Sequence, residues 1–400
     1  MPGLDLKVVT HKLNVDPKAK FVKQPVRKYR LNVEGKIKVE VNKFFKVGFI
    51  EEIKCLEWLA NIVLVKKKDG QIRICVDFRA LNKACPKDEF PLPNVNILVN
   101  AVTRHEPFSF LDGCSGYNQI FMEPSDAQKT TFRTPFENFY YKKMHLRLKN
   151  GGATYQRTMT LIFSDMLHKQ VEDYVDDLVV KAKSPVKHLL HLRQVFERCK
   201  EYNLRMNPSK CAFGVSSGMF LGLLVHQRRI DLDPTKAKAI TTLTPPANLK
   251  ELRRFVGKVS YLRRFITSLA EILKPLVEQT KKGVTFVWCD QCEKAFKKIQ
   301  EILADPHTMV ASLPRKPLLL FIANIEQSLG ALLAQEQGGM KRPVYYISRL
   351  MKGPELRYSI AENVCLSLAF AMSKFNHYFL RHHVQLVTKS NLVKYLLTHP

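Results

Sequence analysis

The chain has 400 residues, 46% of them hydrophobic, which is enough for about two to four domains or subdomains with real cores and excludes a disordered or fibrous chain. Lys and Arg number 64 against 36 Asp and Glu, a formal net charge of +28 that repels itself unless the working partner is a polyanion, with nucleic acid the first candidate. No apolar run approaches the ~20 residues needed to span a bilayer, and MPGLDLKVVTHK has no hydrophobic signal core, so a protein that neither crosses a membrane nor is secreted is expected.

Residues 1–45 are basic and show little continuous periodicity, so an arm or extended leading segment is expected. Residues 1–50 hold 12 Lys/Arg against 4 Asp/Glu, and the positive charge continues along the chain, which favours a long binding channel over a targeting signal. From Val63, VLVKKK and IRICVDF flank Asp69-Gly70 and predict a hairpin carrying Lys66, Lys67, Lys68 and Arg73. FSFLD at 108–112 predicts a buried strand, continued at 117–122 after Gly113 and Gly116. EDYVDDLVVK at 172–181 predicts a second hairpin with two acids at its turn.

Between 186 and 202, Leu189, Leu192, Val195, Phe196, Cys199 and Tyr202 recur at helical spacing and predict an amphipathic helix on the sheet. After Pro245-Pro246 the pattern turns helical, with Asn248 and Glu251 as a cap pair. An apolar stripe follows at Leu249, Leu252, Phe255, Val256, Val259 and Leu262, with Arg253, Arg254, Lys258, Arg263 and Arg264 largely off it. From about 316 the chain reads strand (PLLLFIA), strand (PVYYIS), helix (364–375) and strand (VQLVT), and a truncated last domain is expected because Pro400 follows so soon. Nine cysteines, most inside apolar runs such as those of Cys75 and Cys211, indicate a reducing, intracellular setting. Cys289 and Cys292 form a CxxC whose nearest candidate partners, His377 and His382, lie more than eighty residues away, which argues against zinc.

Asp176 and Asp177 at a hairpin tip, with Asp112 at a neighbouring strand end, would make an oxygen cage for hard divalent cations. Like charges so close raise each other's pKa, so the cluster is unfavourable unless a cation fills it. Two such ions suit an in-line attack of a primer 3′ oxygen on an α-phosphate.

The blocks YVDD (174–177), LDGCSGYNQ (111–119), VKKKDGQIRICVDFRALNKACPKDEFPLP (65–93), GGATYQR (151–157) and LRMNPSKCAFG (204–214) together resemble the reverse transcriptase of gypsy-type LTR retrotransposons, in family order. The resemblance implies an α+β right-hand polymerase of fingers, palm and thumb followed by a truncated RNase H-like α/β domain. Its expected divisions are an arm over 1–45, fingers and palm over 46–235, a helical thumb over 236–305 and the RNase H-like or connection region over 306–400. It implies Asp112, Asp176 and Asp177 as metal ligands and catalytic carboxylates for two Mg²⁺, with Mn²⁺ as a substitute, and the Gly113 carbonyl as a further oxygen. Tyr117 matches the steric gate against a 2′ hydroxyl, Lys67 and Arg73 the cations on the incoming dNTP, and Phe220, Leu221 and Gly222 the primer grip. The implied partners are an RNA template, a DNA primer and their hybrid, in a cytoplasmic retroelement particle or the nucleus.

Two stretches depart from the family. His145, Leu146 and Arg147 stand where Pro, Phe and Gly are usual, and Arg147 is expected to be strained if that turn needs a positive φ. Arg229 likewise replaces a common Gly. In the last block Ala323, Val364 and Lys389 occupy the positions of the family's three leading ribonuclease acids, and none can ligate Mg²⁺, so an RNase H-inactive region is expected. Two readings of the whole remain: an active RNA-directed DNA polymerase, and an impaired remnant that only binds nucleic acid.

Overall fold

The computed structural model describes residues 3–54, 57–66, 72–325 and 327–388, so Lys67, Lys68, the Asp69-Gly70 turn, Glu326 and Lys389 lie outside the described residues. Two compact units are present: Met1–Leu98 with His105–Val215, and Val99–Arg104 with Ser216–Pro400.

In the first unit residues 3–13 pack through a few buried side chains. Strand β1 (Thr10–His11) pairs in parallel with Phe121–Met122, and Leu4 and Leu13 are buried. Helix α1 (Leu31–Lys46) follows, with Ile37 and Val41 buried one turn apart and Val33 and Phe44 against the same core. The expectation of an arm over 1–45 is corrected for 31–45, where this stripe is a helical face obscured in the sequence by Gly35 and the interspersed lysines, while residues 14–30 are largely exposed and carry no helix or named strand. Strand β2 (Ile50–Glu52) leads to the hairpin of β3 (Ala60–Lys66) and β4 (Ile72–Val76), in which Val65 faces Arg73. Short helix α2 (Arg79–Ala84) and helix α3 (Val95–Val102) lead to β5 (Phe108–Asp112).

The expected continuation of β5 over 117–122 is only partly extended. Ser115, at φ 50°, turns the chain left-handed, Gly116–Gln119 forms a 3₁₀ turn, and only β6 (Phe121–Met122) is a strand. After α4 (Pro124–Ala127), strands β7 (Phe132–Arg133) and β8 (Asn138–Tyr141) complete a five-stranded sheet in the order β2-β8-β7-β3-β4. Helix α5 (Gly151–Ile162), strands β9 (Val171–Tyr174) and β10 (Asp177–Lys181), helix α6 (Pro185–Glu201) and strand β11 (Ala212–Val215) finish the unit. The second sheet runs β11-β5-β10-β9, so the two acid-bearing strands, β5 and β10, are its central pair. Helix α6 covers this sheet with Leu192, Val195 and Cys199 buried, whereas Leu189 and Phe196, expected on the same stripe, are exposed on its flanks.

The second unit opens with β12 (Ser217–Phe220), β13 (Leu223–His226) and β14 (Arg229–Leu232). Four helices follow: α7 (Pro234–Thr241), α8 (Leu249–Tyr261), α9 (Leu269–Glu278) and α10 (Asp290–Ala304). The cap of α8 is formed as expected: Glu251 N–H donates to Asn248 Oδ1 at 3.0 Å, and Glu251 Oε2 accepts from Ala247 N–H at 2.9 Å. Strand β15 (Met309–Val310) then pairs with β14, so residues expected in three different divisions meet within one unit. The last sheet has the order β18-β17-β16-β19, from β16 (Leu318–Ile325), β17 (Ser328–Gln337), β18 (Met340–Leu350) and β19 (Val384–Val387). Helix α11 (Ile360–Phe379) packs on it through Ala371, Phe375 and Tyr378. Strand β17 was not expected, because a central strand buried along most of its length shows no period-2 alternation.

Candidate active site

The register places Asp112, the last residue of β5, directly opposite Asp177, the first of β10. Cα atoms so paired stand about 4.5–5.5 Å apart. Tyr174 pairs with Asp177 across the hairpin, leaving Val175 and Asp176 as a two-residue turn. Val175 sits at φ 53°, a conformation that costs a β-branched residue of order 1–2 kcal/mol.

That turn is held from behind by α5. The carboxamide of Gln156, fully buried, accepts the Val175 N–H at 2.7 Å and donates to Asp173 Oδ2 at 2.5 Å. Tyr155, one residue earlier, stacks on Tyr117 with ring centroids 5.4 Å apart and 11° between planes. Gly116 lies between these groups: a Cβ there would meet Asp176 Oδ1 and the Tyr155 hydroxyl, each at 2.6 Å. A Cβ on Gly113 would meet the same hydroxyl at 2.8 Å. The three blocks LDGCSGYNQ, GGATYQR and YVDD therefore converge.

The electrostatics are those of an unneutralised cluster. Burial, and then Asp112 and Asp177, push the Asp176 carboxyl up to about 6, with Lys210 opposing. Burial and Asp112 raise Asp177 as well. Burial and then Asp176 push the Tyr117 phenol up to about 12, so it is neutral at any working pH. Oδ2 of Asp112 and Oδ1 of Asp176 are buried without a hydrogen-bond partner. Lys210 Nζ lies 3.1 Å from Asp112 Oδ2, a charge contact without hydrogen-bond geometry. Among the described residues no group of three or more His, Cys, Asp and Glu is arranged as a closed metal site. These two carboxylate oxygens, neither of them hydrogen-bonded, nonetheless suit a hard cation, which takes oxygen ligands. Sequence reasoning assigned no roles to Gln156, Tyr155 or Lys210, although all three lie within motifs it singled out.

Arg73 is exposed on the finger hairpin opposite Val65, while Lys67 lies outside the described residues. In the second unit Phe220, Leu221 and Gly222 end β12 and form a hairpin turn. Phe220 is buried, and Leu221 (φ 51°) and Gly222 (φ 75°) have the two positive φ values of a type I′ turn. The Tyr261 hydroxyl donates to the Leu221 carbonyl at 3.1 Å, and Lys236 Nζ donates to the Gly222 carbonyl at 3.3 Å and to the Tyr261 oxygen at 3.2 Å. A side chain at position 222 would collide with both clamping groups.

Residues 65–225 match the family described as reverse transcriptase (RNA-dependent DNA polymerase). This chain carries a reverse transcriptase domain. Residues 288–386 match a second family, the RNase H-like domain found in reverse transcriptase. The chain is 30% identical over 368 residues to the retrovirus-related Pol polyprotein from transposon 412 of Drosophila melanogaster, covering 90% of this chain and 30% of that protein. It is 30% identical over 358 residues to the transposon Tf2-3 polyprotein of Schizosaccharomyces pombe, covering 88% and 27%. The chain thus spans about a third of the length of the curated relatives it matches. In fold it is similar to the foamy viral protease-reverse transcriptase in complex with double-stranded DNA, with a TM-score of 0.86 at 20% identity, covering 100% of this chain and 70% of that one. The same viral protein in complex with RNA/DNA hybrid gives 0.82 at 20% identity, over 97% and 52%. The expected class, a reverse transcriptase fold followed by an RNase H-like domain, holds.

Within the reverse transcriptase domain the loop departures fit better than expected. Arg147 is not among the residues with positive φ, so the strain expected at a Gly position is absent. His145 packs edge-on to Phe78 at 5.5 Å and against Tyr141 at 4.6 Å, and its Nδ1 accepts the Arg147 N–H at 3.1 Å. Desolvation, and then Arg147, push its pKa down to about 4, so the ring is neutral. Arg229 is likewise free of positive φ and pairs with Asp231 at 3.0 Å.

In the RNase H-like domain Ala323 lies on β16 opposite Gly330, exposed. Asn324, next along the strand and therefore on the other face, accepts a hydrogen bond from Ser367 of α11. Val364 lies on α11 one turn before Ser367, and Lys389 lies outside the described residues.

Proposed function

We propose that the reverse transcriptase domain is an RNA-directed DNA polymerase that transfers nucleotides from dNTPs onto a primer 3′ end. Asp112, Asp176 and Asp177 would hold two Mg²⁺ ions, with Mn²⁺ as a substitute, and such ions stabilise both the attacking and the leaving oxygen of an in-line displacement. The observation that carries this reading is the placement of Asp112 against Asp177 with Asp176 on the intervening turn, two of their oxygens buried without a hydrogen bond.

The chain's own residues then have distinct tasks. Above about pH 6 the Asp176 carboxyl is ionised and joins Asp112 and Asp177 in gathering the cations. Gln156 fixes the turn that presents Asp176. Tyr117, seated flat on Tyr155, takes the part of the gate that crowds out a 2′ hydroxyl. Arg73 and Lys67 serve the triphosphate, since a guanidinium forks onto two phosphate oxygens. The turn of Phe220–Gly222 serves the primer end. An excess of 28 positive charges supports an RNA template, a DNA primer and their hybrid as partners, an affinity that falls steeply with salt. The RNase H-like domain, with Ala323 and Val364 where acids are usual, is proposed to lack hybrid-cleaving activity.

Primer extension on an RNA template tests the proposal. DNA product from the wild type and none from Asp176→Asn is expected. A wild type that binds duplex yet makes no Asp176-dependent product would establish instead a remnant that only binds nucleic acid.

A further inference from the structure

The CxxC of residues 289–292 takes no part in polymerisation. Cys289 is the residue that caps α10 (Asp290–Ala304), and Cys292 sits three residues on, in the first turn. One turn of helix brings the two sulfurs to 3.4 Å. Their surroundings differ sharply. Cys289 is exposed, while Cys292 is fully buried and its thiol points at the Pro275 carbonyl at 3.8 Å. The charged neighbours are Glu293, which accepts the Trp288 indole N–H at 2.8 Å and pairs with Lys297 at 3.2 Å, and Glu278.

This asymmetry suits exchange chemistry, in which an exposed thiolate attacks and a sheltered neighbour resolves. A helix N-terminus favours the anionic form of the exposed partner. The Cys292 N–H and thiol hold Cys289 below the ordinary thiol range, whereas burial raises Cys292. A structural zinc site would need four ligands, and among the described residues no further His, Cys, Asp or Glu groups with this pair as a metal site.

We propose that Cys289 and Cys292 form a thiol–disulfide exchange site that small oxidised disulfides, such as oxidised glutathione, close into an intrachain disulfide. The Cys289 thiolate attacks one sulfur of the small disulfide, breaks its S–S bond and expels one thiol, leaving a mixed disulfide. Cys292 then attacks Cys289 Sγ, its proton passing to solvent, and expels the second thiol. Two protein thiols are oxidised and one small disulfide is reduced to two thiols. The inference is independent of the polymerase reading.

The test treats the full chain with oxidised glutathione, alkylates free thiols, and maps the tryptic peptide 283–294, which contains both cysteines and no internal Lys or Arg. In the wild type that peptide is expected to lose both alkylatable thiols and two hydrogens in mass, while the exposed Cys365 stops at a mixed disulfide. Cys292→Ser should trap the glutathione adduct on Cys289, and Cys289→Ser should leave Cys292 unmodified. Retention of both free thiols in the wild-type peptide, or equal adduct formation in the two variants, would overturn the proposal. So would protection of both thiols by zinc alone.

Discussion

Replacing Asp176 by Asn should stabilise the metal-free protein while abolishing its function. In the folded chain the carboxyl titrates near 6 against an ordinary value of 3.8, mainly because it is desolvated and then because Asp112 and Asp177 face it. Fully sheltered, that displacement would be worth about 3 kcal/mol, and partial exposure brings the figure to ~1–1.5 kcal/mol. The raised folded pKa means that the charge costs nothing below the unfolded value, 3.8, where the group is protonated in both states. The cost grows as pH rises and is complete above about 6. Asn removes it, and Oδ1 of Asp176 has no hydrogen-bond partner to lose. Thermal unfolding in chelator at pH 7.5 should therefore show Asn raising the midpoint by about 2–5 °C, with the gain vanishing near pH 4. Added Mg²⁺ should reverse the order, since saturation to ~100 times Kd adds about 2.7 kcal/mol to whichever protein still binds it. A variant no more stable than wild type at pH 7.5, or a gain independent of pH, would refute the electrostatic account of the site.

Gln156→Leu removes the carboxamide that satisfies Val175 N–H and Asp173. Denaturant unfolding should register a loss of about 2–4 kcal/mol, and a loss below ~0.5 would mean that the turn stands without it. Gly116→Ala places a methyl 2.6 Å from Asp176 Oδ1 and the Tyr155 hydroxyl, so DNA synthesis should fall at least ~10-fold in a protein that still folds. Wild-type rates would show that these neighbours yield. Tyr261→Phe deletes the hydroxyl held by Leu221 and Lys236. If that turn seats the primer, steady-state kinetics should show KM for primer rising about 3–10-fold with KM for dNTP unchanged, and equal rises in both would count against that role. Arg147→Gly should lower stability by ~0.5–1 kcal/mol, because its backbone gains nothing from glycine. A rise in melting temperature would restore the argument from strain.

What could be read in the sequence was local. The hairpins at 60–76 and 171–181 announce themselves through β-branched runs around a turn, and the acids at their ends follow. Helix α1 was hidden because its four core-facing residues, Val33, Ile37, Val41 and Phe44, are diluted by lysines, and β17 because a doubly flanked central strand has no polar face. The contacts of Gln156 with Val175 and of Lys210 with Asp112 span 19 and 98 residues of chain and depend on how α5 and the segment before β11 pack on the central strands. No periodicity encodes such contacts. Arg147 shows the opposite case: resemblance predicted strain if the turn needed a positive φ, and the turn does not.

Strand β15 has a practical consequence for dissecting the protein. Met309 and Val310 are buried and hydrogen-bonded to β14, although they lie beyond the last helix of the reverse transcriptase half. A chain cut at 305 would keep every motif of the polymerase yet strip the outer strand from the sheet that bears the Leu221–Gly222 turn, leaving β14 with open hydrogen-bonding groups that invite self-association. A cut placed after 310 would keep that strand but uncover Val310, which packs with Leu318, Leu320 and Phe375, so a soluble fragment is expected only when the last sheet is retained.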